Sequence, residues 1–294
     1  MTRLHPSIKS VSSGLIALGC FFFTCFCTYA DTIFVSNYSN GTIDKIDANG
    51  NVSAFASGLN HPMGLAFDNG GNLYVSDTGN GRILEFDPSG NPSVFLTVPK
   101  YGVADIAFDS SGNFYFCGDQ YVFKLDTHGN GSTVATGLNQ PVALAIDSNG
   151  NLYVNDGTNT IDRVDTNGVV SLFASGLNYP LGLAVDNVGN LYVANSGDGT
   201  ILRFATNATS TVFGVSRSFP TGLAFDSSGT LYAADYWANA IEEFDSNGHE
   251  SIFASGLAGP MYLAAETIPE PETFALLLTG IVTLLSTRRF RRRR

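Results

Sequence analysis

The chain has 294 residues, of which 44% are hydrophobic, 12% aromatic and only 14% charged, with 32 glycines. That balance excludes an intrinsically disordered chain and fits an all-β globular protein rich in tight turns. The formal net charge of −11 conceals an acidic middle: residues 31–267 hold 7 Lys and Arg against 24 Asp and Glu, a net charge of −17. No basic patch is left to neutralise phosphates, which excludes nucleic acid as a partner.

Residues 1–30 begin with Arg3, His5 and Lys9, run through the apolar stretch GLIALGCFFFTCFC and close on TYA before Asp31. A basic start, an apolar centre and small residues before a boundary read as a secretory signal peptide cut after Ala30. ALGC at 17–20 offers the alternative of a lipoprotein site, which would leave FFFTCFC as an exposed apolar N-terminus. Cleavage after Ala30 removes Cys20, Cys25 and Cys27 and leaves Cys117 alone. The exported domain then has no intrachain disulfide and stands on packing.

From Asp31 onward one pattern repeats about every 40 residues, the length of a four-stranded propeller blade. Its first run is GLAFD at 64–68, DIAFD at 105–109, ALAID at 143–147, GLAVD at 182–186, GLAFD at 222–226 and YLAAE at 262–266. Its second is TIFVSN at 32–37, NLYVSD at 72–77, NFYFCGD at 113–119, NLYVND at 151–156, NLYVAN at 190–195 and TLYAAD at 230–235. A third (RILEFD, AIEEFD) and a fourth ending in FASGL complete the unit. Each run is short, rich in β-branched and aromatic residues and bounded by turn residues, so each is a strand. The turns DNGGN, DSSGN and DSNGN put Asp first, to bond its own downstream backbone, and Gly late, to take a positive φ. Four strands per repeat and six repeats predict a six-bladed β-propeller of four-stranded antiparallel blades over residues 31–267. The chain enters at a second strand and leaves at a first strand, so 260–266 must complete the N-terminal blade and close the ring.

The stretch PMGLAFDNGGNLYVSDTGNGRI at 62–83 closely resembles the NHL repeat, and the likeness extends over almost the whole of 31–267. The wider group contains gluconolactonase-like and streptogramin-lyase-like propellers. The resemblance implies the propeller fold, but the scaffold serves binding modules, hydrolases and lyases alike. Gluconolactonase-like relatives hold a divalent cation through a Glu, Asn and Asp set in the channel, so the resemblance implies a divalent cation (calcium) only if such a set exists. No Glu lies near the start of a first strand, and the set cannot be placed residue by residue.

Strand direction puts the loops leading into each first strand on one face with the loops after each second strand. Positions filled alike in every blade are structural; those that break the pattern are the candidates for a site. Asn37, Asp77, Asp119, Asp156, Asn195 and Asp235 end the second run each time and read as caps for loop backbone donors. Ahead of the first strands stand His61, Gly102, Gln140, Tyr179, Phe219 and Gly259, with Lys100 and Tyr101 replacing the usual GLN lead-in of one blade. Asp105 brings a carboxylate to the innermost strand where most blades have Gly or Ala, and Tyr38, Tyr236 and Trp237 add aromatic rings on the same face. Ligand-binding candidates are therefore His61, Tyr101, Asp105, Gln140, Tyr179, Phe219, Tyr236 and Trp237. Rings interleaved with amides suit sugars, by stacking plus hydrogen bonding. A catalytic reading uses His61 as general base with Asp105 and is otherwise thin, because His128 and His249 fall in turns of the opposite face. Cys117 reads as buried and inert.

The chain ends IPEPETFALLLTGIVTLLSTRRFRRRR: Pro269, Glu270 and Pro271, an apolar stretch from Phe274 to Leu285, and six arginines. That stretch is shorter than the roughly 20 residues of a full span, though flanking side chains can extend its reach. The arginines stay cytoplasmic by the positive-inside rule. A plain membrane anchor is one reading. In all three parts and their order, residues 268–294 resemble the PEP-CTERM sorting signal of exopolysaccharide-making Gram-negative bacteria. That resemblance implies passage through the secretion machinery, transient inner-membrane anchoring, removal of the tail by an exosortase, and release to the outer surface or extracellular matrix.

The expectation is a secreted, cell-surface or matrix-associated propeller that binds an extracellular ligand, a polysaccharide or a surface protein, through its loop face. The alternatives are a metal-dependent hydrolase or lyase of the gluconolactonase-like group and a purely structural matrix component.

Overall fold

A computed structural model describes residues 31–98 and 102–266. The signal peptide and Ala30, Tyr101, and the tail with Pro269, Glu270 and Pro271 lie outside the described residues. Within them the chain forms six four-stranded antiparallel sheets. The first sheet joins β1 (Thr32–Asn37), β2 (Thr42–Ile46) and β3 (Val52–Ala56). The second contains β4 (Pro62–Phe67), β5 (Leu73–Asp77), β6 (Arg82–Phe86) and β7 (Pro92–Thr97). The third contains β8 (Ile106–Phe108), β9 (Phe114–Gly118), β10 (Tyr121–Leu125) and β11 (Gly131–Thr136). The fourth contains β12 (Leu144–Ile146), β13 (Leu152–Asn155), β14 (Ile161–Val164) and β15 (Val170–Ala174). The fifth contains β16 (Pro180–Val185), β17 (Leu191–Asn195), β18 (Thr200–Phe204) and β19 (Ser210–Val215). The sixth contains β20 (Pro220–Phe225), β21 (Leu231–Asp235), β22 (Ala240–Phe244) and β23 (Glu250–Ser255). The last strand, β24 (Pro260–Glu266), pairs antiparallel with β1 from Thr32↔Glu266 to Asn37↔Pro260 and so becomes the inner strand of the first blade. The six-bladed propeller and its closure are those the repeats predict. The helical content of the described residues is a single 3-10 turn, Thr78–Asn80.

Each DxxGN-type turn is held as its residue types require. Asp68 accepts the backbone N–H groups of Gly70 and Asn72 on one oxygen and the Asn72 amide on the other, all at 2.8 Å, while Gly71 takes φ 80°. Asp47, Asp87, Asp109, Asp126, Asp147 and Asp186 repeat the arrangement with their own Asn partners. These carboxylates close turns on the face opposite the loops that lead into the inner strands.

No blade has a core of its own. Each apolar cluster lies between neighbouring blades: Phe34, Leu73 and Val75 join the first to the second, and Ala233, Leu231 and Tyr192 join the fifth to the sixth. Burial of these facing surfaces is the main stabilising term, and it exists only when the ring is complete. Near the axis the inner strands come so close that side chains must vanish. A Cβ on Gly182 would lie 2.0 Å from the Thr221 carbonyl oxygen, and one on Gly222 would lie 2.6 Å from the Tyr262 Cα.

Three blades depart from glycine there: the fourth has the small Ala143, and the third and first have Asp105 and Tyr262. Inner strands β8 and β12 are only three residues long, and side chains take up backbone donors beside them: Asn155 accepts Val142 and Ala143 N–H, and Asp105 accepts two more. One Asp105 oxygen accepts Ile106 N–H at 2.9 Å and the other accepts Leu144 N–H of the next blade at 3.0 Å. Tyr262 belongs to the first blade, yet its ring packs in the cluster between the fourth and fifth blades and its hydroxyl donates to the Val142 carbonyl. The ring therefore crosses the propeller axis.

Candidate functional site

On the face formed by the loops leading into the inner strands, a concavity of about 460 Å³ opens over the axis. Its floor is Met63, Val142, Thr221 and Met261, and its walls include Gln140, Asn155, Asn159, Tyr179, Phe219, Tyr236 and Trp237. Of the candidates read from the sequence, Gln140, Tyr179, Phe219, Tyr236 and Trp237 come together here. His61 stands at the edge, its ring stacked on Tyr38 at 4.5 Å with an interplanar angle of 30°. Asp105 lies below the floor, 6% exposed.

The rim is held by a repeated backbone device. The residue before the inner-strand proline is left-handed at His61 (φ 50°), Gln140 (φ 51°), Tyr179 (φ 54°) and Gly259 (φ 63°). Only Gly259 takes that conformation without a steric cost; for the others it costs roughly 1–2 kcal/mol. Strain of this kind persists where surrounding contacts over-determine it, and such positions cluster at functional sites. Those contacts are present: Asn159 accepts Tyr179 N–H at 3.0 Å, Asn239 accepts Gly259 N–H at 2.8 Å, and the Asp119 carbonyl accepts Gln140 N–H at 3.1 Å.

The Asx residues ending the second strands are caps. Asp77 accepts Asn60 N–H at 2.7 Å, Asn195 accepts Asn178 N–H at 2.7 Å, Asn37 accepts Ala258 N–H at 3.1 Å and Asp235 accepts Phe219 N–H at 3.1 Å. Asp156 caps Asn139 N–H. The third blade corrects the sequence reading. There Gly118, not Asp119, holds the capping position, since Cys117↔Val122 matches Ser76↔Ile83 in register. A Cβ on Gly118 would lie 1.8 Å from the Gly102 carbonyl oxygen, so no Asx side chain fits, and Asp119 follows at φ 53°.

The rings form an arc. Tyr179 and Phe219 stand 6.1 Å apart, Phe219 and Trp237 6.3 Å, and Tyr236 meets Trp237 edge-on at 4.8 Å. The Tyr236 hydroxyl is 3.2 Å from Ser39 Oγ, which carries the arc to the Tyr38–His61 stack. Tyr179 and Trp237 are 58% and 67% exposed, so neither ring is consumed by the core. Asn155 and Asn159 were missed as wall residues. Asn155 could have been found as the odd member of its position, which the register fills with Ser36, Ser76, Cys117, Ala194 and Ala234 elsewhere. Met63 and Met261 carry no signal beyond their place one residue after the inner-strand proline.

The axis does not fit a cation. Both Asp105 oxygens already accept backbone N–H groups, and the Tyr262 ring fills the space a channel ion would need. Among the described residues no three His, Cys, Asp or Glu side chains converge as a metal would require. Burial pushes the Asp105 carboxyl up to about 7, against the pull of the Leu144 and Ile106 N–H groups. His61 and Asp105 therefore do not form an acid–base pair facing the pocket: one ring is stacked on Tyr38 and the carboxyl is beneath the floor. Cys117 is fully buried, and burial raises its thiol pKa far above the ordinary range, which keeps it protonated.

The NHL repeat family matches residues 59–86, which cover β4 to β6. Among characterised proteins no match is found. Among solved structures the chain resembles a streptogramin B lyase, at 16% identity and TM-score 0.62 over 79% of this chain and 82% of that one. It also resembles a chain of a nidogen/laminin complex, at 18% identity and TM-score 0.70 over 81% and 99%. A gluconolactonase from Xanthomonas campestris matches at 17% identity and TM-score 0.60 over 69% and 78%. At such identities the likeness establishes the fold, which in these three serves two enzymes and a protein–protein complex.

Proposed function

We propose that this chain is an exported propeller, held at the cell surface or in the extracellular matrix, that binds an extracellular ligand through the mouth pocket. The observation that carries this reading is the pocket itself: a concave site over the axis, walled by exposed aromatic rings and amides and floored by closed packing. A pocket of roughly 300–1,000 Å³ with apolar walls and a few polar groups is the form a ligand site takes. The strained rim positions support the same reading, because three non-glycine residues are held left-handed where their side chains border the opening.

Polarity adds a second support. β1 begins at Thr32 and β24 ends at Glu266, paired with one another on the face opposite the pocket. A signal before residue 31 and a sorting tail after residue 267 would both leave from that far face. A tail still in the membrane would then present the pocket outward, which suits display better than it suits a soluble catalyst. Hydrolysis or lyase chemistry has no comparable support, since Asp105 and Tyr262 are committed to structural hydrogen bonds.

The reading is tested by fractionation of cells producing the full chain. The wild-type protein is expected in the matrix fraction, and a Tyr179→Asn, Trp237→Ala double variant in the culture fluid. An identical distribution of the two would contradict a role for the pocket in retention.

A further inference from the structure

Resting on that reading, we infer that the pocket is selective for an electrically neutral saccharide unit and rejects uronate and sulfated chains. None of the fifteen described residues lining the concavity is charged. In a domain whose residues 31–267 carry a net charge of −17, an uncharged concavity marks the site off from the surface around it. The carboxylates that come closest along the chain, Asp156 beside Gly157 and Asp235 beside Tyr236, point inward to cap backbone N–H groups. They offer an acidic ligand repulsion and no partner. Among the described residues the guanidinium in the neighbouring loop, Arg217, does not offset them, because it is paired with Glu250 at 2.6 Å. An anionic ligand would lose its hydration without gaining a counter-charge.

The groups that remain match a sugar ring. The weakly positive C–H face of a pyranose packs on the negative face of an aromatic ring, and the exposed Tyr179 and Trp237 rings offer two such faces on one arc. Hydroxyl groups need partners that both donate and accept. The Gln140 amide and the Tyr179 and Tyr38 hydroxyls do both, and the Asn159 amide nitrogen, whose oxygen is already bound to Tyr179 N–H, adds a donor. The volume of about 460 Å³ admits one or two sugar rings rather than a folded protein surface, for which a stable interface takes about 800 Å² on each partner.

Trp237 is the only tryptophan in the chain, so emission excited selectively in tryptophan reports this site alone. Titration of the full chain with neutral tetrasaccharides derived from glucan, mannan and galactan is expected to shift and saturate that emission for at least one of them. Affinity should be unchanged between low and high salt, and oligouronates of equal length should bind at least tenfold more weakly. Tyr179→Asn removes one ring while keeping a residue that tolerates left-handed φ; it should weaken neutral binding at least tenfold with Trp237 still reporting. Saturating, salt-sensitive binding of the oligouronate would overturn the neutral specificity and leave the pocket reading standing. A response to a protein partner with none to any saccharide would overturn the ligand class. Saccharide binding detected by calorimetry without change in Trp237 emission would overturn the site assignment itself.

Discussion

At the scale of single residues, the axis is governed by Asp105 and Tyr262. Both sit where other blades have Gly or Ala, and both turn a clearance position into a tie between blades. Asp105 has the stronger consequence. Its folded pKa, about 7, lies above the ordinary aspartate value of 3.8, so between those values the folded state holds the proton more tightly than the unfolded chain. Its contribution is fully present below the unfolded pKa and is lost as pH rises through about 7. Glu242, fully buried with Arg217 N–H at 2.9 Å on one oxygen, is pushed up to about 7 by burial and acts in the same direction. The turn aspartates act oppositely. Hydrogen bonds from His249 hold Asp245 down to about 2, and such groups lose their contribution only as pH falls below the ordinary carboxylate range. The urea midpoint of the wild-type protein should therefore rise as pH falls from about 8 to about 5 and fall again under stronger acid. In Asp105→Asn the rise should be smaller, the remainder belonging to Glu242. Parallel curves for the two proteins would show that Asp105 does not titrate as described.

At the scale of elements, the strands and turns were legible in the sequence because each repeat states the same local rules six times. Asp-first turns and late glycines recur through Asp31 to Glu266, except that the fifth blade turns through ATNAT at 205–209, where Ala208 takes φ 64°, and that the third blade shifts its register. There the run NFYFCGD is one residue longer before its Asp, and a count of residues could not tell that Gly118 keeps the register. The glycines of the inner strands were legible only as pattern. Their reason is tertiary, since Gly182 faces the Thr221 carbonyl of the next blade, far off in sequence. Gly182→Val should destabilise the protein by about 3 kcal/mol or more, through overpacking that backbone cannot relieve. An exposed substitution such as Val188→Thr should change it by less than about 0.5 kcal/mol. Thermal denaturation of the two variants checks the contrast, and equal melting temperatures would remove the close-approach argument.

At the scale of the whole molecule, the ring makes one face and one axis out of six similar units. Because apolar clusters lie only between blades, similarity among blades serves folding, and departures from similarity are left to the loops. This is why the mouth residues Gln140, Tyr179, Phe219, Tyr236 and Trp237 could be singled out from sequence, as the positions that vary around a constant frame. What could not be read was depth. Nothing in DIAFD distinguishes a carboxylate that faces a channel from one sealed beneath a methionine floor, and only the ring of Tyr262, reaching across from the closing strand, decides it. The proposal of export and matrix association rests on the terminal segments, and the proposal of ligand binding rests on the pocket.

The most direct measurement of the central claim is the emission spectrum of Trp237 as polysaccharide extracted from the matrix of the producing cells is added to the full chain. A saturable shift that is lost in Tyr179→Asn is the result expected of a ligand-binding mouth. A spectrum unchanged at every concentration, for a protein that remains folded, would contradict it.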